Sequence, residues 1–121
     1  GYLFHGWQQA SETLRLTAQA NAIVVPSVWE EPCATTVLEA LMMGKTIFAL
    51  RRGGTPELGA YASAPDQLRL FNTMPALVDA LLNFSVQADY PVTPRARIAD
   101  ASHAVKKLLA LYRLPPGPIP V

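Results

Sequence analysis

Cysteine is almost absent from this sequence: Cys33 stands alone among 121 residues. No disulfide can close within the chain, so a reducing, cytoplasmic setting is the expectation. Histidine is nearly as scarce, with only His5 and His103, neither at metal-ligand spacing from a partner, so no metal is expected. A long basic run is missing too. Ten Lys and Arg residues against nine Asp and Glu leave a net charge of +1, which argues against a nucleic-acid partner but not against one phosphate-bearing small ligand. No stretch of about 18 apolar residues occurs, and the first residues lack the basic, apolar, small-residue order of a secretory signal. Neither GxGxxG after a strand nor GxxxxGK[ST] is present, Ser27 lies outside a GxSxG elbow, and no internal repeat is evident.

What the chain does have is apolar residues, 50% of the total, enough for a core in one domain at residues 1–114, followed by a Pro-rich tail at 115–121. Continuous apolar runs predict strands near 2–5, 23–26, 46–50 and 68–71, alternating with helices. That order implies an α/β fold with a mostly parallel sheet covered on both faces, the run at 23–25 reading as a central strand. Ser11 is expected to cap a helix within residues 8–20 carrying Leu14, Leu16 and Ala18. A second helix is expected over 34–43, with Leu38, Leu41 and Met42 as its apolar side and Gly44 as its stop. Thr55, Pro56 and Glu57 read as the cap and first turn of a short helix. A third long helix is expected over 75–84, with Leu77, Val78, Leu81 and Leu82 inward. The last opens near Pro94 and runs to about Leu114, with Ile98, Ala101, Val105, Leu108 and Leu109 as its stripe. His103 reads as a surface or packing residue of that helix, and Trp29 as a residue packed on the helix that follows it or as part of a cleft wall.

The chain is organised around residues 23–44. A strand there empties into a charged loop (Glu30, Glu31, Pro32) that feeds a helix N-terminus, and open α/β folds bind ligands at this carboxyl edge. Backbone N–H groups around Ala34, Thr35, Thr36 and Val37, with those of Gly53 and Gly54 in the next loop, suit phosphate oxygens. Glu31 and Glu39, eight positions apart, suit neutral hydroxyls, because a carboxylate beside a phosphate is costly. A nucleotide sugar meets both requirements. His5 stands beside Gly6 at an expected strand end, read either as ligand-facing or as bonded to backbone. Cys33 lacks a histidine base and reads as an inert, semi-buried thiol. Arg51 and Arg52 read either as charge for a diphosphate or as solvated surface.

The stretch PSVWEEPCATTVLEALMMGKTIFALRRGGTPEL resembles the donor-binding signature of GT-B glycosyltransferases. It is most similar to the large retaining family, glycosyltransferase family 4-like, that includes sucrose-phosphate synthases and bacterial mannosyltransferases. The resemblance implies a Rossmann-like fold, the C-terminal half of a GT-B fold truncated at its N-terminus. It implies Glu31 as the catalytic glutamate beside the donor sugar hydroxyls and Glu39 on the ribose hydroxyls. Ala34, Thr35 and Thr36 then fall near diphosphate and nucleoside, Gly53, Gly54 and Thr55 on the sugar and phosphate side, and His5 and Gly6 near the cleft. The sequence departs from the pattern at Pro32-Cys33, usually Gly-Phe, and at Ala34, usually glycine.

The implied activity is transfer of a sugar, with retention, from a nucleotide diphosphate sugar to an acceptor hydroxyl. No cofactor is implied beyond that substrate. The implied partner is an N-terminal acceptor-binding domain of the same enzyme, with which any peripheral membrane association would lie; this piece alone is expected to be inactive. The alternatives are a non-catalytic nucleotide-sugar or sugar-phosphate binding module, an epimerase sharing the GT-B fold, and a structural α/β domain. The last predicts Glu39 buried in a salt bridge.

Overall fold

The computed structural model of the chain describes residues 1–91 and 101–111, the side chains of 101–104 excepted. Three short strands form one parallel sheet in the order β1-β2-β3: β1 is Ala22–Val25, β2 Thr46–Leu50 and β3 Leu68–Phe71. Ile23 pairs with Ile47, and Ala49 with Leu70. Every residue of β2 is buried, as befits a middle strand with a layer on each face, and its side chains alternate between two cores.

Ile47 and Ala49 face α2, the helix Thr35–Met42, through Val37, Ala40 and Leu41. Leu58 and Tyr61 of a 3₁₀ segment, Thr55–Tyr61, close the same core. Phe48 and Leu50 face the other way, onto Leu77 of α3, Met74–Leu82. There the Phe48 ring lies parallel to Phe71 and edge-on to Phe84, while the Arg69 guanidinium sits 5.2 Å from its centroid. The fold is therefore α/β, a small parallel sheet flanked by helices on both faces.

Several expectations are corrected here. Residues 2–5 form no strand: Tyr2, Leu3 and Phe4 are 79% exposed or more, so among the described residues the sheet has three strands, not four. The run at 23–25 is an edge strand. Its unbroken hydrophobicity has a simpler cause, since Ile23 and Val25 face the α2 core while Val24 points to the thinly covered face and is 41% exposed.

The first helix, α1, spans Ala10–Gln19, so Ser11 lies inside it and Gln9 holds the capping position without a side-chain bond. None of its residues is buried; local bonds support it instead, with Arg15 reaching Glu12 at 2.8 Å and Gln19 at 3.0 Å. The hydrogen bond from Arg15, opposed by a little desolvation, holds the Glu12 carboxyl below its usual range.

In α2 the buried face is Val37, Ala40 and Leu41; Leu38 is half-buried and Met42 is exposed. Reading Met42 as inward placed the stripe one residue too far along the helix. In α3, capped by the Thr73 hydroxyl accepting from Ala76 N, Leu77 is buried but Val78 and Leu82 are exposed. A helix packed on a three-stranded sheet buries a narrower stripe than a broad sheet would require.

The last described helix, α4, is Ala101–Leu111, with Val105 and Leu109 half-buried and Leu108 exposed. The expected helical residues 95–100 and 112–114, Ile98, the side chains of Ala101 and His103, and the tail at 115–121 lie outside the description. No described helix is long and apolar enough to cross a membrane.

Candidate functional site

The candidate site sits where β1 and β2 end. After β1 the chain turns at Pro26 and runs through an irregular loop to Ala34, the capping position of α2. Alanine offers no side-chain oxygen, and Ala34 makes no capping bond. The first intrahelical bonds are Val37 N to Ala34 O at 3.0 Å and Leu38 N to the same oxygen at 3.3 Å, so the N–H groups of Thr35 and Thr36 precede the internal ladder. Both threonines are exposed, and Ala34 is buried beneath them.

After β2, Arg51 and Arg52 lead into Gly53, whose φ of +48° suits glycine alone without strain. The two loops touch directly rather than facing each other across a gap. Gly54 N donates to Glu31 O at 2.9 Å, and Gly53 N donates to the Glu30 carboxylate. A Cβ on Gly53 would lie 2.7 Å from the Glu30 carbonyl carbon, and one on Gly54 3.0 Å from that of Pro32. Only glycines let the chains meet this closely. Thr55, at the start of the 3₁₀ segment, is buried under the turn, its N–H bonded to Arg52 O at 3.1 Å.

Glu31 is half-buried, and its carboxylate accepts a hydrogen bond from the Ser27 hydroxyl at 3.2 Å. Glu39 lies on the exposed side of α2, one turn beyond Thr35. Among the described residues it forms no ion pair; the two salt bridges are Arg15–Glu12 and Lys45–Asp89. The burial and salt bridge expected of Glu39 in a structural domain are not found: the residue is exposed and has no ion pair among the described residues.

His5 and Gly6 lie in the irregular segment before α1. Both are exposed, His5 O accepts from the Gln8 amide at 2.6 Å, and its imidazole is close enough to Glu12 to help lower that carboxyl. No described hydrogen bond joins either residue to the Glu31 loop. Two further corrections concern the loop itself. Trp29 is 75% exposed rather than packed on α2, and Cys33 is exposed rather than semi-buried. The loop is drawn toward the Gly53 turn by its backbone and by Glu30, which leaves Trp29 and Cys33 on its outer side.

Sequence reasoning passed over Ser27 and Glu30. Ser27 was discarded as a nucleophile, yet it orients Glu31. Glu30 reads in the sequence only as part of a charged loop, yet its carboxylate accepts from Gly53 N. The signal available was a second carboxylate next to Glu31 in a chain with a Gly-Gly turn after the following strand.

Among the described residues no group of three or more His, Cys, Asp or Glu side chains is placed to hold a metal ion. The loops after β1 and β2 carry Glu30, Glu31, Arg51 and Arg52 next to the start of α2, a set of polar groups suited to a ligand with both anionic and hydroxyl groups. The class that the fold defines is α/β, with a parallel sheet between helices. Comparison with protein-family models, curated proteins and solved structures gives no match for this chain.

Proposed function

We propose that this chain is the donor-binding domain of a retaining glycosyltransferase with a Rossmann-like, GT-B architecture, binding a nucleotide diphosphate sugar at the carboxyl ends of β1 and β2. The observation that carries this reading is the direct packing of the Glu30–Glu31 loop on the Gly53–Gly54 turn, beside the uncapped start of α2. It brings Glu30 and Glu31 against Gly53 and Gly54, which their separation in sequence does not require.

In this reading Glu31, oriented by Ser27, accepts hydrogen bonds from donor sugar hydroxyls, and Glu39 accepts them from the ribose. The Thr35 and Thr36 N–H groups and the positive end of α2 face the diphosphate. Arg51 and Arg52 supply cationic charge, since neither is paired with a carboxylate among the described residues. As the nucleoside diphosphate leaves, negative charge grows on its oxygens, and fixed N–H dipoles with cationic side chains stabilise that charge. Acceptor binding belongs to another domain, and the piece described is inactive by itself. The residues named need no metal and no cofactor for donor binding.

Isothermal titration with UDP-glucose, GDP-mannose and ADP-glucose tests the proposal. One of the three is expected to bind, and Glu39→Ala is expected to weaken it by about tenfold or more, the scale of one or two lost hydrogen bonds to a charged acceptor. Unchanged binding in the variant, or no binding of any donor by the intact chain, overturns the assignment.

A further inference from the structure

The Gly53 N–H is occupied. Its acceptor is the carboxylate of Glu30, 23 residues earlier in the chain, reaching across from the loop after β1. The neighbouring N–H, that of Gly54, is held by a main-chain oxygen, Glu31 O. The two bonds have different consequences. A backbone bond fixes the loop whatever its side chains do, whereas a side-chain bond from an exposed glutamate can be released by rotation about its χ angles. Losing the carboxylate therefore opens one donor without dismantling the contact between the loops.

That donor lies in an anion-favouring place. Gly53 adopts a left-handed conformation directly after Arg51 and Arg52, and neither guanidinium has a carboxylate partner among the described residues. Among the described residues the Arg52 guanidinium donates to the carbonyl of Arg51, at 3.0 Å. A carboxylate oxygen and a phosphate oxygen are both strong acceptors for a backbone N–H and compete for the same position. Glu30 carries a single charge and is tethered, so its effective concentration at Gly53 is high. A diphosphate carries more charge and more acceptor oxygens, and it meets the arginines as well.

We propose that Glu30 is a resident anion at the Gly53 N–H, which a diphosphate-bearing ligand must displace, and that it thereby sets the affinity of the site for its donor. This rests on the nucleotide-sugar reading given above. Glu30 and Glu31 then divide the work: the Glu31 main chain anchors the loop, its side chain faces hydroxyls, and the Glu30 side chain guards the phosphate position. Glu30 is an affinity-determining residue, not a catalytic one.

The test titrates the full chain, Glu30→Gln and Glu30→Ala with UDP-glucose, GDP-mannose, ADP-glucose and inorganic pyrophosphate, following the Gly53 amide resonance in parallel. Glu30→Ala is expected to bind the preferred donor and pyrophosphate about fivefold or more tightly than the unaltered chain, the scale of one exchanged hydrogen bond. Glu30→Gln keeps the acceptor shape without the charge, so it is expected to fall between the two and to fold even where Glu30→Ala does not. The Gly53 amide is expected to shift in both variants and to shift again when pyrophosphate is added. Donor binding by the unaltered chain with equal or weaker binding in both variants overturns the role of Glu30 and leaves the donor site standing. Failure of all three proteins to bind any donor or pyrophosphate overturns both.

Discussion

At the scale of single residues, the glycines of this chain divide by what surrounds them. Gly53 combines a left-handed φ with backbone crowding from Glu30 and Glu31, so it fails for two independent reasons when a methyl group is added. The strain of a left-handed alanine costs about 1–2 kcal/mol, and separating the loops adds a similar amount, so Gly53→Ala is expected to lose about 2–4 kcal/mol of stability. Gly59, with nothing within 4 Å of its hypothetical Cβ, is the control. Gly59→Ala is expected to change stability by no more than about 0.5 kcal/mol. Urea unfolding of the two variants checks both, and equal midpoints would show that the loops are not packed as described.

At the scale of elements, the segment after α3 is strapped onto the turn between α2 and β2. Tyr90 N donates to Gly44 O at 2.7 Å, and Lys45, only 5% exposed at its side chain, reaches Asp89 at 2.6 Å. Gly44, at φ +73°, brings its backbone against that of Tyr90, so the glycine expected to end a helix also makes room for this strap. Desolvation, followed by a hydrogen bond and the charge of Asp66, raises the Tyr90 phenol above its ordinary value of 10.0, with Arg69 opposing. The unfolded chain surrenders this proton near pH 10 and the folded one only at higher pH. The stabilisation is therefore complete below pH 10 and is lost as pH rises through the folded value. Ultraviolet titration of the phenolate is expected to show Tyr90 ionising above pH 10, and Asp66→Asn to bring that midpoint down. A Tyr90 midpoint unmoved by Asp66→Asn contradicts the placement of the strap.

At the scale of the whole molecule, both cores meet at β2. Phe48 is fully buried between Phe71, Phe84 and Leu77, on the opposite face from the α2 core. Phe48→Ala is expected to cost about 3–5 kcal/mol, a large share of the stability of a domain this small. Leu82→Ala, at a side chain 81% exposed, is expected to cost less than about 1 kcal/mol. Thermal unfolding followed by circular dichroism compares them, and a mild effect at Phe48 would mean that the face under α3 is not a closed core. The small sheet also explains the many apolar residues left at the surface. Three strands have too little area to cover Tyr2, Leu3, Phe4, Val24 and Leu82 at once.

The strands at 46–50 and 68–71 were legible in the sequence because β-branched and aromatic residues there leave no competing local structure. The helices after residues 9, 34 and 73 were legible to within a residue or two from their apolar spacing, although a side-chain cap is found only at Thr73 and not at Gln9 or Ala34. The α/β order followed from their alternation. Glu31, Glu39 and the Gly-Gly turn stood out for the same reason, since their spacing is a property of the chain itself. Tertiary structure alone decided which strand lay at the edge, because Ile23–Val25 reads the same whether one face or two are covered. It alone decided that residues 2–5 join no strand of the described sheet, and that Trp29 and Cys33 face solvent. It also assigned Glu30 to Gly53, a bond across 23 residues that depends on two loops meeting at the ends of neighbouring parallel strands. Local sequence carries propensity, while a contact between distant loops exists only once the sheet has fixed where both begin.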